Sequence, residues 1–160
     1  MKNIAIALLL LLVFINYSCK EISREKQSAA GYALRLSPGQ DLKLELEKFV
    51  QAKQLQASSV VTCVGSLTTF KIRPANQKDL LTLKGHFEIV SLTGTFADKG
   101  QHNHLHISVS DSTGRTIGGH LVEGNIIYTT AEITLLDLPQ LKFTREVDPQ
   151  TGYYELSIKE

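Results

Sequence analysis

From Ala57 onward the sequence alternates β-rich runs with turn residues, and that punctuation leaves few folds open. Ser59–Val64 is a short apolar run, Gly65 interrupts it, and Leu67–Arg73 continues it. Phe87–Phe96, His104–Ser110, Thr116–Leu121 and Ile126–Leu136 follow. They are separated by Ala97–Gln101, by Asp111-Ser112-Thr113-Gly114 and by Gly124-Asn125, the residue types that turn a chain back on itself. Gly94, inside Phe87–Phe96, marks an expected bulge. Leu141–Arg145 and Tyr153–Ile158 close the series on either side of Asp148-Pro149-Gln150-Thr151-Gly152. Upstream, Tyr32–Leu36 reads as a first strand and Gln40–Gln54 as a helix. Leu42, Leu46, Phe49 and Val50 recur at helical spacing and form one apolar stripe. Asp41 suits the positive end of that helix dipole, Lys48 and Lys53 the negative end. One helix against about seven strands joined by short turns predicts an α+β fold. It is a single domain, a largely antiparallel sheet with one main helix packed on it.

His104–Ser110 carries the chemistry. Leu105, Ile107 and Val109 project to one face of the strand, and His104, His106 and Ser108 to the other. Three apolar side chains on one face fix the register. His120 returns after the hairpin signal, directly behind Gly118-Gly119, a pair that lets backbone or ligand approach closely. Three neutral imidazoles meeting at one point are the ligand set of an open zinc site, with one coordination position left for water or substrate. From spacing alone the competing reading is a polar strand face open to solvent. His102, two residues earlier, is either a fourth ligand or a surface histidine. His86 stands alone as a structural or exposed residue.

Residues 1–18 are a different material. Lys2 precedes the uninterrupted apolar run Ile4–Ile15, which is too short to span a bilayer core of about 30 Å. A charged start, a short apolar run and a small residue before the cut describe a secretory signal. Asn16-Tyr17-Ser18-Cys19 looks like a lipobox, so Cys19 is expected to be lipidated in an exported, membrane-anchored bacterial lipoprotein facing the periplasm or cell surface. An ordinary signal peptide with an incidental cysteine is the alternative. Residues 19–30 then form the lipidated cysteine and a polar tether, and residues 31–160 the domain. Loss of residues 1–18 removes one of the 17 basic residues, leaving 16 against 16 acidic ones. A neutral chain lacks the basic surface of a nucleic-acid binder, so no nucleic acid is expected as a partner. Cys63, in an apolar run, is expected to be a buried unpaired thiol.

Several segments together resemble the plants-and-prokaryotes-conserved (PPC) domain over roughly residues 31–159. They are Arg35…Pro38-Gly39, GHFEIVSLTGTF (85–96), HLHISVSDSTGRTIGGHLVEGNIIYTTAEI (104–133) and the tail Arg145…Asp148…Thr151-Gly152-Tyr153. Residues 104–133 carry H-x-H, G-G-H and T-T-A-E in the order of prokaryotic members. The resemblance implies an antiparallel α+β domain assembled as a homotrimer, with a fold similar to acetolactate decarboxylase, whose H-x-H pair and later histidine hold zinc. It implies His104, His106 and His120 as ligands of a divalent metal, zinc being the expected one. Plant members add an Arg-Gly-Arg-Pro hook for DNA, and the sequence contains no such segment.

The implied chemistry divides into two classes. One is a metal-dependent lyase or hydrolase acting on a small metabolite. The other is a non-catalytic homotrimeric binding or assembly module with a structural metal. An enzyme needs a proton carrier. Glu132 alternates away from Ala131 and Ile133, in a segment that the resemblance puts beside the histidines. It is either that acid/base or a group orienting an imidazole. Glu88 carries the same two readings. Arg35 and Arg73 are candidates for an anionic substrate, or plain exposed arginines.

Overall fold

A computed structural model describes residues 28–160. The signal at 1–18, Cys19 and most of the tether lie outside the described residues. The chain runs β1 (Ala30–Leu36), α1 (Leu42–Lys53), β2 (Ala57–Arg73), β3 (Leu81–Ala97), a single 3-10 turn (Asp98–Gly100), β4 (His102–Ser110), β5 (Thr116–Leu121), β6 (Ile126–Asp137), β7 (Lys142–Val147) and β8 (Tyr154–Lys159). Six strands form an antiparallel sheet in the order β1-β6-β2-β3-β4-β5, and β7 and β8 form a hairpin sheet of their own. The fold is α+β, mostly antiparallel, with eight strands where about seven were expected.

The long strand β2 organises the sheet. β3 runs along one edge of it, and β6 takes the other edge from Ser58 to Thr69. Beyond β6 that second edge receives β5, through Ile72↔Leu121 and Arg73↔His120. The sheet therefore curls until its last strand meets its third, and the core fills the inside. Leu42, Leu46 and Val50 of α1 are fully buried against it, with Phe49 half-buried at the rim, as the apolar stripe requires. Phe70 and Phe96 are the largest fully buried side chains. Burial of each such side chain stabilises the fold by roughly 1.5–3 kcal/mol.

Gly65 does not end the strand. A Cβ there would lie 2.2 Å from the Thr130 carbonyl oxygen. The glycine lets β6 press onto β2, and β2 runs through it with local register shifts. The bulge in β3 lies between Ile89 and Ser91, not at Gly94. The helix starts as its sequence suggests. Asp41 Oδ1 accepts from the N–H groups of Lys43 and Leu44, at 2.9 and 3.1 Å. Its Oδ2 accepts from Gly124 N–H at 2.6 Å, so one carboxylate caps α1 and ties it to the turn before β6. Asn125, fully buried, completes the tie by accepting from Lys71 N–H and donating to the carbonyls of Lys71 and Val122.

A small second core of Ala57, Ala97 and Phe143, flanked by Leu138, Leu141 and Leu156, holds the β7–β8 hairpin on the main sheet. Cys63 is buried and free. Burial pushes its thiol up to about 12, so it stays protonated and inert.

Candidate metal centre

β4 obeys the alternation read from its sequence. Leu105, Ile107 and Val109 point into the core, and His104 and His106 stand on the opposite face. The Asp111–Gly114 turn brings β5 back. Asp111 Oδ1 accepts from Thr113 N–H (2.9 Å), Thr113 Oγ1–H (2.6 Å) and Arg115 N–H (3.2 Å). The resulting register sets His106 directly opposite His120. His120 in turn lies opposite Arg73, and His104 opposite Thr95. Gly118 and Gly119 make this approach possible. A Cβ on Gly118 would meet the Ile107 carbonyl oxygen at 2.7 Å, and one on Gly119 the Arg73 carbonyl oxygen at 2.8 Å. The pair lets β5 wedge between β4 and the end of β2, which puts His120 beside the other two histidines.

The three rings converge. One ring nitrogen from each of His104, His106 and His120 lies within 4.8 Å of the others. His104 Nε2 and His106 Nε2 are 3.2 Å apart. Two nitrogens on a tetrahedral zinc, each bonded at about 2.05 Å, are separated by about 3.4 Å, so this pair already has ligand spacing. Among the described residues His120 Nδ1 is buried with no hydrogen-bond partner, a state that leaves an imidazole nitrogen needing one. Protonation states agree with ligation. Burial, followed by the charges of Arg73 and the neighbouring histidines, lowers the His120 pKa to about 4. Burial, then Arg145 and His106, lowers that of His104. Neutral imidazoles are what a metal binds. The residues fit a borderline-soft divalent cation such as zinc.

The cluster opens onto a cleft of about 890 Å³, lined by His104 and His120 together with Arg73, Arg145, Tyr154 and Glu155. This is within the size range of small-molecule sites. His102 also lines the cleft but is not part of the cluster, and its Nε2 lies 3.9 Å from Asp98 Oδ2. His86 stacks on Tyr128, ring centroids 4.1 Å apart. Of the two arginines flagged from sequence, Arg73 is at the cleft. Arg35 is elsewhere, its Nε donating to Thr130 Oγ1 at 3.3 Å. Glu88 is exposed on β3, opposite Ser66 and Ser110.

Glu132 is not brought to the histidines within one chain. It lies on β6 opposite Val64 of β2 and Arg35 of β1, lining a separate depression with both. Arg73, His120's neighbour, is nine residues further along β2 than Val64. At about 3.3 Å per residue that is roughly 30 Å of strand. β5 and β6 follow each other along one edge of β2, so the chain moves away from the cluster as it leaves His120. Arg145 and Glu155 reach the cleft from the β7–β8 hairpin, which no local signal ties to the histidines.

The family model of the Plants and Prokaryotes Conserved (PCC, or PPC) domain matches residues 23–139. The chain belongs to this family. A hypothetical protein from Salmonella enterica shares the PPC fold with a TM-score of 0.80 and 42% identity, over 82% of this chain and 94% of that one. A metal-containing protein from Archaeoglobus fulgidus shares the fold at 24% identity with a TM-score of 0.64, over 82% and 95% of the two chains. The bifunctional protein GlmU of a Synechococcus strain is 49% identical over 128 residues, 80% of this chain. The chain spans about 20% of the length of that curated relative, so the PPC unit there is one part of a larger protein.

Proposed function

We propose that this PPC-domain protein binds a divalent metal, zinc being the expected one, through His104, His106 and His120. The observation that carries the reading is the convergence of three ring nitrogens within 4.8 Å, two of the rings being held neutral by their surroundings. Three ligands on an open cleft leave a coordination position facing solvent, which favours a metal-dependent lyase or hydrolase acting on a small metabolite. Bound there, the metal supplies Lewis acidity toward an oxygen of the ligand. The chain's own residues hold the metal, line the cleft with cationic and phenolic groups, and place Glu155 within it as a carboxylate able to accept a proton.

One observation favours the second reading, a non-catalytic binding or assembly module with a structural metal. Glu132, the candidate for proton carrier or for orienting an imidazole, lines a different depression of the chain. The homotrimer belongs to both readings. Supporting it, β2, β3 and β6 expose Val61, Val64, Val90 and Tyr128, large apolar side chains of the kind an interface covers. Export and lipid anchoring through Cys19 complete the proposal and rest on the leader sequence.

Elemental analysis of purified protein tests the metal. Stoichiometric zinc in the wild type and its loss in His104→Ala, His106→Ala and His120→Ala are expected. Metal retained in all three variants would end the reading.

A further inference from the structure

The cleft carries two guanidiniums that approach the histidines from different elements. Arg73 ends β2 directly opposite His120. Arg145 belongs to β7; its Nη2 donates to Thr95 Oγ1 at 3.4 Å, and Thr95 is the residue opposite His104. Its Nη1 donates to the Tyr154 carbonyl oxygen at 3.3 Å. Each arginine is therefore stationed beside a different histidine of the cluster. Among the described residues, neither guanidinium has a carboxylate within salt-bridge distance. Arg145 Nε is moreover buried with no hydrogen-bond partner. A half-buried guanidinium that leaves a donor unused carries a desolvation cost that an anion would relieve. The carboxylate lining the cleft, Glu155, accepts from Thr151 Oγ1 rather than from either arginine.

Two unpaired guanidiniums around one opening make a site for a bidentate anion, because the planar donor fork matches the two oxygens of a carboxylate. The cleft has room for more than an inorganic ion, and the exposed rings of Tyr153 and Tyr154 flank it with apolar surface for a carbon skeleton. We propose that the cleft binds a small organic carboxylate, with Arg145 and Arg73 receiving its charged end while a second oxygen of the same molecule faces the histidine cluster. The last part rests on the metal reading above; the anion site does not. Arg145 makes the β7–β8 hairpin the specificity element.

The test uses the purified full chain, metal-free and zinc-loaded, labelled with nitrogen-15 so that the arginine Nε–Hε signals report directly. Glycolate is titrated against its uncharged amide, glycolamide, which keeps the hydroxyl and loses the charge. Glycolate is expected to move the Arg145 signal saturably in the metal-free protein, and glycolamide is not. Arg145→Gln and Arg73→Gln should each weaken glycolate by roughly tenfold, as loss of a charge-assisted pair does, with zinc content unchanged. Among the described residues Arg73 makes no side-chain hydrogen bond, whereas Arg145 makes two, so Arg73→Gln remains readable even where Arg145→Gln loosens the hairpin. Equal binding of glycolate and glycolamide overturns the proposal, as does wild-type glycolate affinity in both variants. So does an unmoved Arg145 signal with all of glycolate, succinate and citrate. Inorganic phosphate binding more tightly than every carboxylate overturns the ligand class. Failure to load zinc, with charge-dependent glycolate binding intact, sinks the metal reading and leaves the anion site standing.

Discussion

Gly119→Ala separates the packing that builds the cluster from the histidines themselves. The added Cβ would lie 2.8 Å from the Arg73 carbonyl oxygen and 3.0 Å from Ile72 Cδ1. The first of these atoms is a backbone carbonyl oxygen of the residue paired with His120 at the end of β2, and it cannot swing aside as a side-chain tip would. Ordinary contact begins near 3.4 Å, so β5 must move off β2 by roughly half an ångström. Overpacking of this kind costs about 1–3 kcal/mol. At about 3 °C per kcal/mol for a domain of this size, the metal-free protein should melt about 3–9 °C lower. The same displacement carries His120, the next residue, out of register with His106, and ligand sites tolerate only about 0.5 Å of misplacement. Zinc affinity, read by competition with a chromophoric chelator, should fall about 10–100-fold, as it does when groups that orient ligands are disturbed. Gly31→Ala is the matched control: nothing lies within 4 Å of its added Cβ, and stability and zinc affinity should stay at wild-type values. A Gly119→Ala protein that melts and binds zinc like Gly31→Ala would refute the wedge as the device that places His120.

Acid should weaken the metal-free fold in a defined window. The folded-state pKa of His120 is lowered to about 4, so between the ordinary histidine value of about 6.5 and that point the unfolded chain binds a proton that the folded chain does not. Stability therefore falls as pH drops through this range, His104 contributes with the same sign, and His120→Gln should flatten part of the slope in thermal melts. Cys19→Ser should move the expressed protein from the membrane to the soluble fraction on fractionation; a variant that stays membrane-bound contradicts lipid anchoring. Light scattering on the protein released from its tether should give three chains per particle, and a monodisperse monomer would contradict the trimer.

The histidine strand was legible because period-two alternation with Leu105, Ile107 and Val109 leaves only one choice of face. His120 was legible because Asp111–Gly114 is a hairpin signal with few outcomes, and its register falls opposite His106. The helix was legible from its stripe and from Asp41. What local pattern could not carry is distance along the sheet. Glu132 follows His120 by only twelve residues, yet β6 continues along β2 away from the cluster, a consequence of β2 serving both strands on one edge. Gly65 read as an interruption because sequence does not reveal the β6 backbone pressing against it. Arg145 belongs to a separate hairpin docked by Phe143 and Leu156, and only tertiary packing brings it to His104.

X-ray absorption at the zinc edge of the purified, zinc-loaded protein addresses the centre most directly. The expected result is stoichiometric zinc with three imidazole nitrogens at about 2.0–2.1 Å and one further light atom. Substoichiometric zinc, or a shell of oxygens without imidazole scattering, would contradict ligation by His104, His106 and His120.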